Sequence, residues 1–191
     1  MRIIRLLALF VVAILAAQAC LAGSVKGKVS PGKSVVYLES ASGSVVPAAD
    51  KKVVMDQKGL LFQPHVLVVQ TGTTVEFLNS DKVQHNVFWP SISGDKKKGH
   101  NMGTWPQGEK RPFKFTDPGV VTLLCNVHPE MAGYIVVSPT PYFVETEADG
   151  AYALANVPDG DYTITAWHEG KKVQSKKISV KGDTTADVTL Q

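Results

Sequence analysis

The chain has 191 residues, with 20 Lys and Arg against 17 Asp and Glu and a formal charge of +3. So even a balance leaves no strong electrostatic case for nucleic acid or an anionic membrane as a partner. The length suits one large or two small domains, each able to bury a core.

The first residues set the compartment. Arg2 and Arg5 precede an uninterrupted apolar run, Leu6 to Ala17, and small residues follow up to Ala19, Cys20 and Ala22. That is the layout of a secretory signal peptide over residues 1–22. The run is about half to two-thirds of the roughly 20 residues that cross a hydrocarbon core. No later stretch supplies a second candidate, so an exported, periplasmic protein without a transmembrane segment is expected. Loss of Arg2 and Arg5 leaves a charge of about +1. Cys20 has two readings. It is a lipid-anchor position, although Ala17 and Gln18 stand where a lipoprotein signal has Leu and a small residue. With cleavage after Ala22 it leaves with the leader, and Cys125 becomes the one thiol of the mature chain. A lone thiol in an oxidising compartment favours metal ligation over simple packing.

Beyond the leader helical periodicity is almost absent. Short runs rich in Val, Ile, Thr, Tyr and Phe recur between Gly, Pro, Asp and Asn clusters, which predicts an all-β chain of sandwiches. In order, strands are expected at Lys26–Val29, Ser34–Glu39, Lys52–Met55, Val66–Gln70, Thr73–Asn79 and Asn86–Trp89. Further strands are expected at Pro112–Phe115, Val120–Cys125, Tyr134–Val137, Tyr152–Leu154, Tyr162–Trp167, Lys176–Val180 and Ala186–Leu190. Asp117-Pro118-Gly119, Asp149-Gly150 and Pro158-Asp159-Gly160 supply turn chemistry between apolar runs. The stretch Ser91–Glu109 is too polar to pattern and reads as a long loop, with Lys96-Lys97-Lys98 as solvated charge.

The sharpest chemical feature is Cys125-Asn126-Val127-His128-Pro129-Glu130-Met131, which begins where an apolar strand ends. A strand-end loop can turn Cys125, His128 and Met131 to one side. Upstream, His85-Asn86 opens another strand and supplies a fourth donor. Two imidazoles, a thiolate and a thioether are the donors of a mononuclear blue-copper centre: the sulfurs suit Cu(I), imidazole accepts both oxidation states, and a weak axial sulfur lets the geometry persist when the electron moves. Structural zinc wants four Cys or His donors, so Met131 argues against it. A dinuclear copper centre needs two bridging thiolates, and oxidase wiring needs His on both sides of the Cys, where this chain has Leu124 and Asn126. His65 and His168 are expected to be hydrogen-bonded structural residues. His100 and Met102 lie two apart in a polar segment and stay off the ligand set, and Trp89 and Trp105 are expected in the core.

From about Val53 to Val137 the chain resembles the plastocyanin and amicyanin family of cupredoxins, on His85-Asn86-Val87, Pro118-Gly119 and the Cys125–Met131 loop. The resemblance implies a Greek-key β-sandwich that binds one type 1 copper through His85, Cys125, His128 and axial Met131, with Asn86 tying the ligand loops together. Residues 143–190, with Asp149-Gly150-Ala151-Tyr152 and Asn156-Val157-Pro158-Asp159-Gly160, resemble the carboxypeptidase regulatory-like domain, a small transthyretin-like sandwich. The opening strands of that family look like Gly27-Lys28-Val29 and Val35-Val36-Tyr37-Leu38, which come earlier in the chain. The expected organisation is therefore a leader (1–22), first strands of the second sandwich (23–48), cupredoxin (49–139) and the rest of the second sandwich (140–191).

No nucleophile and base pair, phosphate loop or paired acids appear, so an enzyme is not expected. The expected function is periplasmic electron transfer with small redox proteins or a periplasmic dehydrogenase or oxidase. The alternative is copper storage or delivery without a redox role. His128 is expected nearest the surface, beside Pro129, with His85 and Cys125 deeper.

Overall fold

The computed structural model describes residues 22–48 and 52–191. The expected leader up to Leu21, and with it the readings of Cys20, lies outside the described residues. The strands of the first half are β1 (Ala22–Ser30), β2 (Val35–Ser40), β3 (Lys52–Gln57), β4 (Phe62–Gln63), β5 (Val66–Gln70), β6 (Thr74–Asn79) and β7 (His85–Trp89). Those of the second are β8 (His100–Trp105), β9 (Lys110–Lys114), β10 (Gly119–Leu124), β11 (Ala132–Ser138), β12 (Phe143–Glu145), β13 (Ala151–Pro158), β14 (Gly160–Trp167), β15 (Gln174–Val180), β16 (Thr184–Thr185) and β17 (Val188–Thr189).

They form four sheets. One runs β5-β11-β10-β7-β8 and faces another, β4-β3-β6-β9. Alternation fixes which side of each strand enters the space between them: on β6 the residues Val75, Phe77 and Asn79 are buried and their neighbours are not. Phe77, Trp89, Phe115, Leu123 and Ile135 fill this first core. The other two sheets are β13-β1-β16, with β17 also on β1, and β12-β2-β14-β15. Here β1 pairs antiparallel with β13, and β2 lies between β12 and β14. The early strands thus complete a sandwich whose remaining strands follow β11, around a core of Val25, Leu38, Leu154, Ile164 and Val180.

A third apolar cluster joins the two sandwiches. Val35 and Tyr37 of β2 and Trp167 of β14 pack with Val136 of β11, bordered by Val66, Val68 and Tyr134. This is why Val35-Val36-Tyr37-Leu38 reads as a continuous apolar run: Val36 and Leu38 enter the second core while Val35 and Tyr37 face the first sandwich, and all four are buried. β11 divides in the same way, with Ile135 and Val137 in the first core and Tyr134 and Val136 against the second sandwich.

The segment Ser91–Glu109 departs from expectation. It holds a short 3-10 turn at Lys96–Lys98, capped by Asp95, and the strand β8 paired with β7. β8 is the outer strand of its sheet and leaves His100, Asn101 and Thr104 exposed. Edge strands carry polar and charged residues that discourage further pairing, so alternation of apolar residues is not available to mark them.

Candidate metal centre

Sheet order brings the donors together. β7 and β10 are antiparallel neighbours, with Leu124 opposite Phe88, so His85 at the start of β7 and Cys125 just past the end of β10 meet at one end of the sandwich. His85 is also opposite Trp105 of β8, which walls its other side. After Cys125 the chain turns through His128 and Pro129, closed by the Met131 N–H donating to the His128 carbonyl at 3.0 Å. β11 then runs back along β10, so Met131 is held at the same end, next to its first residue, Ala132.

The Nδ1 atoms of His85 and His128 face each other at 3.1 Å. With Cys125 Sγ, one ligand atom from each residue lies within 4.8 Å of the others, and among the described residues this is the group of three that could hold a metal ion. Metal bonds of about 2.0–2.3 Å to nitrogen and sulfur set donors around one ion at separations of this order. His85 and Met131 are fully buried and Cys125 is 3% exposed, whereas His128 is partly exposed. Two imidazoles and a thiolate gathered within 4.8 Å, with the buried Met131 a few residues further along the same loop, fit copper and are poorly suited to structural zinc.

A hydrogen-bonded frame holds these groups. The Asn86 N–H donates to Cys125 Sγ at 3.4 Å. The Asn86 side chain accepts from the Asn126 N–H at 3.2 Å and donates to Asn101 Oδ1 at 2.9 Å and to the Gly103 carbonyl at 2.8 Å. It therefore fastens β7, the Cys125 loop and β8 to one another. On the other side of the site, Asp81 Oδ2 lies 2.9 Å from His85 Nε2 and also accepts the Leu60 N–H at 3.0 Å, while Oδ1 accepts the Gly59 N–H at 2.7 Å. Partial burial pushes the Asp81 carboxyl up, but the donors from Leu60, Gly59 and His85 outweigh it and hold the group below its ordinary value. Asn79, fully buried, fixes this turn: its Oδ1 accepts the Asp81 N–H, and its Nδ2 donates to the carbonyls of Val83 and Trp105.

Sequence reasoning did not single out Asp81 or Asn79. The available signal was an Asx-rich turn, Asn79-Ser80-Asp81, placing a carboxylate four positions before a ligand-type His. The remaining histidines lie apart from the centre. His65 Nε2 is 2.6 Å from Glu169 Oε2 at the join between sandwiches, and His168 Nδ1 is 2.6 Å from the Glu169 carbonyl. His100 is exposed and tilts over Trp89 and Phe113, and Met102 packs partly into the first core. Trp89 and Trp105 are both core residues.

Residues 49–138 match the family model described as copper binding proteins of the plastocyanin/azurin family, and residues 137–188 match one described as polysaccharide lyase family 4, domain II. The second description differs from the carboxypeptidase regulatory-like one expected from residues 143–190. Among solved structures, a reduced single-substitution mutant of amicyanin is 23% identical over 56% of this chain and 99% of its own, with a TM-score of 0.43. A Cu(I) form of another amicyanin mutant is 24% identical over 53% and 99%, also with a TM-score of 0.43. The copper-containing nitrite reductase of Thermus scotoductus SA-01 is 28% identical over 52% of this chain and 26% of its own, with a TM-score of 0.42. With the family match and the donor set in agreement, residues 49–138 are a cupredoxin domain of the plastocyanin/azurin family, and copper is its cofactor.

Proposed function

We propose that this protein is a periplasmic electron carrier, not an enzyme, in which His85 Nδ1, His128 Nδ1, Cys125 Sγ and the Met131 thioether would hold one copper. The observation that carries the reading is the unequal exposure of a convergent donor set: His85 and Cys125 are buried and His128 alone of the three reaches the surface. Copper supplies a one-electron couple when bound. The residues keep the site from rearranging. Asn86 pins the Cys125 loop to two strands, and its N–H at Cys125 Sγ withdraws charge from the sulfur, a contact that tunes such centres. Pro129 has no N–H to add a further donor beside the site.

Exposed apolar side chains border the ligands. Val127 precedes His128, Val83 stands two residues before His85, and Leu60 and Leu61 lie on the loop that binds Asp81. Val127 and Pro129, exposed on either side of His128 in the chain, offer a small apolar face next to it, suited to the short-lived, low-area contacts of redox partners. A small redox protein is the partner we propose. The test is electron exchange with such a protein, wild type against Pro129→Glu. The variant is expected to exchange more slowly with its visible spectrum retained. A wild type that exchanges electrons sluggishly yet hands copper readily to an acceptor would make this a storage or delivery protein instead.

A further inference from the structure

The loop between β3 and β4 contains two successive residues in the left-handed region, Gly59 at φ +66° and Leu60 at φ +59°. The first is at ease there, but a γ-branched Leu is not, and such outliers persist only where the surroundings hold them. What holds this one is Asp81. Successive N–H groups of Gly59 and Leu60 point to its carboxylate at 2.7 and 3.0 Å, a backbone concavity suited to an anion. The same carboxylate reaches His85 Nε2 at 2.9 Å, with the imidazole fully buried. Asn79, itself buried and fully bonded, sets the turn that aims it.

We infer that Asp81 is the positioning residue of the copper site: it keeps the His85 ring in the tautomer with the proton on Nε2, leaving the Nδ1 lone pair toward Cys125 and His128, and places negative charge behind one copper ligand. The inference rests on the copper reading. A hydrogen bond from the outer nitrogen of a ligating imidazole to a carboxylate fixes the ring's orientation and raises its basicity, which favours the more highly charged metal ion. Asp81 therefore stabilises Cu(II) relative to Cu(I), opposite in sense to the N–H donor at Cys125. Because the same group holds Leu60, an exposed apolar residue is joined to His85 through one carboxylate.

The test uses the mature full-length chain with Asp81→Asn and Asp81→Ala. Nitrogen NMR of the metal-free protein, with the imidazoles neutral, is expected to show His85 protonated on Nε2 in the wild type and in Asp81→Asn, which keeps an acceptor, and a mixture of tautomers in Asp81→Ala. Both variants should bind Cu(II) about 10–100-fold more weakly than wild type with a smaller loss for Cu(I), and so have raised reduction potentials. If Asp81 only tethers the loop, Leu60 and Leu61 amides exchange faster in the variants while tautomer and potential stay at wild-type values, and the inference is overturned. Should Asp81→Ala fail to fold, an unchanged Cu(II) to Cu(I) affinity ratio in Asp81→Asn overturns it alone. A wild type that binds no copper while His85 keeps its Nε2 proton removes the copper reading and the charge effect with it, whereas a His85 protonated on Nδ1 in the wild type removes the positioning role itself.

Discussion

Tyr134 and Trp167 lie with ring centroids 5.0 Å apart, tilted by 54°, one from each sandwich. Tyr134 sits on β11, three residues beyond Met131, so this contact braces the strand that carries the chain away from the ligand loop. Trp167 is only 6% exposed. Trp167→Ala is expected to destabilise the protein by about 3–5 kcal/mol, the usual cost of deleting a buried large aromatic. Chemical denaturation followed by both fluorescence and copper absorbance tests this. The join is expected to make the two sandwiches unfold together in the wild type and at separate midpoints in the variant. Wild-type behaviour from Trp167→Ala would mean that the third cluster contributes little.

The join also carries a pH dependence. The hydrogen bond from His65 is the chief cause that lowers the Glu169 carboxyl below its ordinary value; burial opposes it and Tyr134 assists. A carboxylate with a depressed folded-state value contributes stability that is complete above about pH 4.3, the value for unfolded Glu, and fades as the pH falls toward the lowered one. Both partners are about half exposed, so the contribution stays below about 1 kcal/mol. Wild type is expected to be more stable than Glu169→Gln at neutral pH, with the gap closing on acidification. A gap that widens on acidification would reverse the assignment.

Gly133, two residues after Met131, has no room for a side chain: a Cβ there would lie 2.7 Å from Cβ of Phe62. Gly133→Ala should cost about 1–3 kcal/mol by overpacking. The double variant with Phe62→Ala should cost less than the sum of the two single changes, since the clash is removed with the ring. Strict additivity in thermal unfolding would show that the glycine matters for another reason.

Asn86→Ala removes the bonds that join β7, β8 and the Cys125 loop and leaves the Asn126 N–H without its acceptor. A loss of about 1–3 kcal/mol is expected, together with faster release of copper to a chelator. Asn86→Ala releasing copper at the wild-type rate would separate the frame from the metal site.

Much of this arrangement was legible in residue order. Cys125, His128 and Met131 stand on one short loop after an apolar strand, and the chemistry of the set with His85 names the metal before any coordinates do. Alternation located β6 and β10, where one face is buried. It could not locate β8, whose exposed edge needs no apolar residues, and it could not say which partner covers each face of β2, because a strand buried on both sides looks the same whatever lies above it. Asp81 was hidden for a different reason: its role depends on the backbone of Gly59 and Leu60, distant in the chain and close only once β3, β4 and β6 have formed.

The most direct test of the central claim is the optical spectrum of the purified protein titrated with Cu(II). One equivalent is expected to produce intense visible absorption from a copper–thiolate bond. Cys125→Ser should abolish it, and Met131→Leu should keep it with a changed reduction potential, since a thioether would bond the copper more weakly than the thiolate. A copper-loaded wild type without that absorption would contradict the account.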